Sequence, residues 1–250
     1  MTNSPTASVL IIGNEILSGR TQDINLAHIA KRLGTIGVRL AEARVISDNE
    51  AEIVAAVNAL RARYTYVFTT GGIGPTHDDI TTDCIAKAFG VAVSEHPEAR
   101  ARLIAHYTKT PVTPARLRMA RIPEGAALID NTVSAAPGFR LENVYVMAGV
   151  PNIMQAMLEA IIPTLAHGMA YISKSVSGFV PESLIAEGLA AIAARYPQLD
   201  IGSYPWEREG RWGTALVARG TDRPAIDAAS DEILALVVQH DPAPAVEIKA

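Results

Sequence analysis

The run Thr69-Thr70-Gly71-Gly72-Ile73-Gly74-Pro75-Thr76-His77-Asp78-Asp79 gathers three glycines, three threonines and an acidic pair ahead of an apolar, helix-like segment. Glycines let backbone N–H groups approach a ligand with no side chain in the way. A helix opening after such a loop turns free amides and a positive dipole end toward an anion. Gly71 to Thr76, with Thr70 at its base, therefore suits a phosphate or pyrophosphate cradle. The Walker pattern with its lysine is absent, and so is the G-x-G-x-x-G dinucleotide fingerprint. Two roles compete for Asp78 and Asp79. They could cap the helix, or hold a divalent cation against a phosphate, as Mg²⁺ is held by one or two carboxylates plus phosphate oxygens. The adjoining glycine loop favours the second.

Three more polar clusters follow short apolar runs: Gly13-Asn14-Glu15, Ser47-Asp48-Asn49 and Gly149-Val150-Pro151-Asn152. Asp48, with Asn49, and Asp23 also suit helix caps, and Glu15 taken alone is an ordinary loop acid. Other chemistries find little support. The six histidines show no zinc spacing, and His77 reads as a solvated loop residue. Ser18, Ser47 and Ser134 lack a G-x-S-x-G context. The single cysteine, Cys84, rules out an intrachain disulfide and reads as a small buried hydrophobe.

The elements that must position these clusters follow from periodicity. Apolar runs at 9–12, 38–46, 66–69 and 144–147 read as strands. Residues 22–33, 49–63, 79–89, 97–107 and 153–165 read as amphipathic helices, and 109–140 as extended connections or a small hairpin. Strands alternating with helices argue for an α/β fold whose mostly parallel sheet is covered on both faces. Such sheets bind ligands at the carboxyl ends of their strands, where all four clusters fall. After His167-Gly168 a smaller α+β pattern begins, with strand 171–177, helix 181–194, strands 199–204 and 213–218, and helix 223–238. Trp206 and Trp212 there read as hairpin packing. The Pro- and Ala-rich tail, 241–250, reads as loose. The domains expected are thus 8–168 and 169–240.

The bulk composition narrows the partners. A 250-residue chain that is 49% hydrophobic can build a sizeable core. A net charge of -4 leaves no electrostatic footprint for nucleic acid. No apolar run approaches the roughly 18 residues of a membrane span, and the start, 1–8, lacks a signal-peptide layout. A cytoplasmic protein with a small-molecule partner is expected.

Taken together, these motifs resemble the molybdopterin-binding (MoaB/Mog-like) domain family, and within it the amino-terminal part of CinA-type competence/damage-inducible proteins. The carriers are Gly13-Asn14-Glu15-Ile16-Leu17 with Gly19, then Asp23 and Asn25, Asp48-Asn49, the block Thr69–Thr81, Ala136-Pro137-Gly138 and Gly149-Val150-Pro151. The likeness spans roughly residues 8–166, and the lobe at 169–240 resembles the small domain that follows. It implies a three-layer α/β/α fold whose sheet-edge pocket takes molybdopterin or an adenine nucleotide. Its catalytic carboxylates would be Asp48, Asp79 and Glu15, with Asp48, Asp78 and Asp79 as ligands of Mg²⁺, Mn²⁺ or Co²⁺. Ligand contacts would come from Thr70, Gly71, Gly72, Gly74, Pro75, Thr76, Ser134, Pro137, Gly138, Gly149 and Pro151. The activity implied is hydrolysis of ADP-ribose-like dinucleotide pyrophosphates. The alternatives are molybdopterin binding or adenylyl transfer, or a non-catalytic binding module. Self-association as a dimer or trimer is expected. Ala148 and Ile153 stand where the family usually has Pro and Glu, and the stretch 131–138 also departs from its usual pattern. The chain ends before the amidohydrolase domain of full-length CinA-type proteins, so deamidation is not expected.

Overall fold

The computed structural model describes residues 4–208 and 210–249, which divide into two compact units after Gly168. The first unit opens with β1 (Thr6–Ile12), α1 (Asn14–Leu17), α2 (Asn25–Thr35), β2 (Arg39–Ile46), α3 (Glu50–Arg63), β3 (Tyr66–Thr70) and α4 (Thr81–Phe89). It continues through β4 (Val93–Glu95), α5 (Pro97–His106), α6 (Pro114–Arg118), β5 (Arg121–Pro123), β6 (Ala127–Ile129), β7 (Gly138–Leu141), β8 (Val144–Met147) and α7 (Pro151–Ile161), with one 3₁₀ turn at Ile162–Thr164.

The main sheet runs β2-β1-β3-β8-β7-β6. Its first four strands are parallel, and β7 and β6 extend it antiparallel. Side chains alternate across β1 with the strand period of two. Leu10 and Ile12 join a core with Ile53, Leu60, Ile85 and Leu103 from α3, α4 and α5. Ala7, Val9 and Ile11 join another with Ile29, Leu33, Met154 and Leu158 from α2 and α7. The unit is therefore a three-layer α/β/α sandwich. Local signals explain the helix ends. Asn49 caps α3 by accepting from the N–H groups of Ala51 and Glu52, and Gly90 closes α4 in the left-handed region at φ 69°.

The register sets up the site. Ile12 lies opposite Ile46, Ile11 opposite Thr70, and Thr70 opposite Met147. The carboxyl ends of β1, β2, β3 and β8 thus finish level, and the segments that follow them leave one edge together. Two features of the 109–140 stretch differ from simple extended connections. Thr113 caps the short α6, and β6, β7 and β8 form a meander whose β7–β8 turn holds Glu142 at φ 50°.

The second unit comprises β9 (Ile172–Gly178), α8 (Glu182–Arg195), β10 (Asp200–Arg208), β11 (Arg211–Gly220), α9 (Arg223–Val238) and β12 (Ala245–Lys249), with sheet order β10-β11-β9-β12. Helices α8 and α9 share its core through Ile185, Ile192, Ile226 and Ile233. The ring of Trp206 packs edge-on against Phe179, while Trp212 is 67% exposed. The tail is a correction to the sequence reading. Residues 245–249 are not loose but pair antiparallel with 173–177 of β9. The alternation of Val246 and Ile248 with Glu247 is a strand pattern too short to stand out behind Asp241-Pro242-Ala243-Pro244. Among the described residues no helix is long and apolar enough to cross a membrane.

Candidate functional site

The loop between β3 and α4 needs glycine at two places. Gly71 has φ +102°, and a Cβ there would lie 2.1 Å from the carbonyl oxygen of Ile12. Gly72 has φ +68°, and its Cβ would lie 2.1 Å from Thr81 Oγ1. Only a residue without a side chain satisfies both the dihedral and the space. The Thr81 hydroxyl donates to Gly71 O at 3.0 Å, the Thr81 amide donates to Gly72 O, and the Gly71 amide donates to Met147 O. With its ends clamped, the loop leaves the N–H groups of Gly72, Ile73 and Gly74 without an acceptor among the described residues. Three consecutive unspent donors are available to an anion in this loop.

These donors border a cavity of about 490 Å³. Among the described residues its charged side chains are Glu15 and Asp79, and neither Lys nor Arg lines it. One Asp79 oxygen, Oδ2, accepts from the Thr76 amide at 2.8 Å and the Thr76 hydroxyl at 2.5 Å. The other, Oδ1, has no donor among the described residues. Glu15 lies in the single-turn α1, whose first amide, that of Asn14, donates to Asp48 Oδ2 at 2.9 Å. Asp48 therefore fixes the turn that carries Glu15 and does not itself line the cavity.

The structure brings together Glu15, Gly71, Gly72, Gly74, Pro75, Asp79, Ser134, Gly149 and Pro151. It leaves out several candidates. Asp48 is turned onto Asn14, and Thr76 onto Asp79. Asp78 faces outward beside His77, whose side chain is 96% exposed. Thr70 is 1% exposed within β3. Pro137 is buried, and Gly138 lies in β7, where a Cβ would come within 2.5 Å of Val146 O. Asp78 and Asp79 do not cap α4, which has no side-chain cap.

Sequence reasoning placed Ile73 in the glycine loop and Ala148, Val150 and Ile153 near the rim, but missed Met119 and Met157. Ile73, Met119, Ala148, Val150, Ile153 and Met157 line one side of the cavity. Ile73 and Met119 come from stretches distant from 148–157, and no local pattern marks Met119 as their neighbour. Two side-chain amides hold the rim. Asn25 Nδ2 donates to Gly149 O at 2.8 Å. Asn131 Nδ2 donates to Ser134 Oγ and Ala136 O, while its Oδ1 accepts from the amides of Val133 and Ser134. Burial pushes the Cys84 thiol up to about 11, so it stays protonated and unreactive at neutral pH. Among the described residues no group of three or more His, Cys, Asp or Glu side chains could enclose a metal ion.

The chain and its architecture have clear relatives. A family model described as "probable molybdopterin binding domain" matches residues 8–167, and one described as "FAD synthase, middle domain" matches 170–243. A CinA-like protein of Desulfosudis oleivorans is 35% identical over 209 residues. That stretch is 78% of this chain and 51% of the relative, so the chain spans about half of that relative's length. A protein of Aeropyrum pernix is 33% identical over 217 residues, covering 82% of this chain and 81% of its own. Among solved structures, "the protein CinA with unknown function from Thermoplasma acidophilum" matches with a TM-score of 0.61 and 35% identity, over 65% of this chain and 99% of that one.

Proposed function

This chain belongs to the molybdopterin-binding domain family through residues 8–167 and resembles CinA-type proteins, and from that premise we propose that it is a divalent-metal-dependent pyrophosphatase of ADP-ribose-like nucleotides. The observation that carries the reading is the cavity's pairing of unlike groups. Gly72, Ile73 and Gly74, whose amides have no acceptor among the described residues, line the same space as Glu15 and Asp79.

In this reading the three amides hold a diphosphate, and the apolar wall around Ile73, Met119 and Met157 takes the nucleobase. Asp79, through its free Oδ1, is the protein ligand for a cation such as Mg²⁺, Mn²⁺ or Co²⁺; that donor set suits an ion completed by phosphate oxygens rather than a protein cage. When bound, such a cation polarises a phosphoryl oxygen and makes a bound water more acidic. Glu15 accepts a proton from the attacking water. Water oxygen bonds to one phosphorus as the bridging P–O bond breaks. The bridging oxygen leaves with the other phosphate and takes a proton from solvent, so ADP-ribose yields AMP and ribose 5-phosphate. Compared with the sequence reading, the metal set contracts to Asp79, and Asp48 becomes the residue that holds the Glu15 turn.

The test is AMP release from ADP-ribose with and without Mg²⁺, Mn²⁺ or Co²⁺, beside Asp79→Asn. Metal-dependent release that the variant loses supports the reading; no release with any metal overturns it. A second reading, adenylyl transfer to molybdopterin, rests on the family description and on the apolar wall, which suits a flat pterin as well as an adenine. ATP-dependent adenylation of molybdopterin without ADP-ribose cleavage would select it. We also propose that the protein is cytoplasmic and forms a homodimer or homotrimer, and sedimentation velocity checks the oligomeric state.

A further inference from the structure

The second sheet ends in β10 on one side and β12 on the other, and these two edges are complementary. Both helices of the unit lie on the face that carries Val176, Leu216 and Ala218. Val246 and Ile248 of β12 stand opposite Val176 and Lys174, so they lie on that same face. They are nevertheless 48% and 58% exposed, because α9 packs over β9 and β11. An edge strand with protruding apolar side chains is a template for another chain. At the far edge, α8 and β10 enclose a groove of about 570 Å³. It is lined by Ala186, Leu189, Ala190 and Ala193 of α8 and by Ile201 and Ser203 of β10. Alanine at three places leaves room for apolar side chains from outside. Ile201 and Ser203 pair with Ala218 and Leu216, so they too face the helices.

Strand direction and register also agree. Strands β11 and β12 both run antiparallel to β9, and β10 runs antiparallel to β11. Continuing the sheet with a second copy therefore sets β12 antiparallel to the new β10. Val246 opposite Ser203 and Ile248 opposite Ile201 keeps both apolar side chains on the helix-covered face, in the groove. Position 249, a lysine, then comes opposite Asp200. Pro244 comes opposite Pro205, so the ladder ends where neither chain has an N–H to give.

We propose that two copies of the chain associate through the second unit, β12 of each entering the groove between α8 and β10 of the other, so that the two four-stranded sheets close into one barrel. Knob and groove sit on different edges, so the contact is heterologous, and a ring of two consumes every free edge. The helices stay outside. The opposite sheet face, which carries Ser175, Ser177, Ala215 and Val217 by alternation, turns inward, and a barrel of about eight strands is narrow enough for side chains to fill. This gives the expected self-association a surface, and it does not depend on the pyrophosphatase reading.

Sedimentation velocity of the full chain tests it, with two variants at exposed positions. Ile248→Asp places a charge on the strand, and Ala190→Arg places one in the groove. Each buries an unpaired charge at the junction and is expected to weaken the dimer at least about tenfold. The decisive sample is their equimolar mixture. One junction is then unaltered on both sides, and the other sets the introduced carboxylate against the introduced guanidinium, so the dimer returns. An interface elsewhere, or one that uses the same edge in both copies, does not recover through mixing. A monomeric unsubstituted chain, an assembly larger than two, a dimer that neither substitution weakens, or a mixture that stays monomeric would each overturn the proposal. Circular dichroism and thermal midpoints confirm that both variants are folded.

Discussion

Thr76 is the residue whose part in the site changes most. Its position in the glycine loop suggests a ligand contact, yet both its amide and its hydroxyl are committed to Asp79 Oδ2. Hydrogen bonds to a charged group contribute about 1.5–3 kcal/mol. Thr76→Val should therefore lower kcat/KM for ADP-ribose by roughly tenfold or more, and Thr76→Ser should recover most of it. A steady-state comparison of the three proteins checks this. Gly72→Ala is the harsher change, because φ +68° and the approach to Thr81 both exclude a side chain. A destabilisation of at least about 1 kcal/mol is expected in urea unfolding, together with loss of diphosphate binding. The chemistry at this scale was legible because residue type and spacing carry it: glycines, a helix start and acids in one run. The direction of a side chain was not. Asp48 and Asp79 look alike in sequence, and only the fold turns one toward Asn14 and the other toward the cavity. The apolar wall was only partly legible: Ile153 and Met157 stand one turn apart on α7, whereas Met119 joins them only through the fold.

Among the elements, the long strands and helices of the first unit could be read from their periodicity, because each buries a stripe against a sheet face. Short ones could not. Strands β6 and β7 have three and four residues, too few for alternation to rise above chance, and β12 is masked by the prolines before it. Strand β12 is nevertheless a structural member of the second sheet, pairing along β9 from Ser177 to Ser173. Val246→Pro removes a ladder donor and should cost the second unit about 1–3 kcal/mol. Hydrogen exchange should then quicken in β9, with amides of β1 and β3 unaffected. Equal acceleration in both units would refute the assignment of β12 to the second sheet alone.

At the scale of the whole molecule, two similar clusters, one in each unit, contribute to stability at the pH extremes. The Tyr64 hydroxyl and the Arg44 guanidinium hold the Glu42 carboxyl below its usual range, and Arg195 and the Tyr196 hydroxyl do the same for Glu232. A carboxyl whose folded value is depressed contributes stability that is present above its unfolded value near 4.3 and lost as pH falls through the folded value. The partner hydroxyls behave oppositely. Tyr64 and Tyr196 are raised by donating to those carboxylates, so their contribution is present below about pH 10 and lost as pH rises through the folded value. The thermal midpoint should stay level across neutrality and fall at both ends. Glu42→Gln should flatten both limbs for the first unit, and a variant with unchanged limbs would remove Glu42 from the account.

The cavity walls have a common origin with consequences for kinetics. The glycine loop and the Gly149 rim continue adjacent strands of one sheet, laced by the Gly71 amide to Met147 and by Asn25 to Gly149. These two walls are tied to one sheet, so no closing step between them is expected. Ligand exchange is then ungated, and stopped-flow traces should show a single phase whose rate climbs linearly with concentration, without the plateau that a closing step imposes.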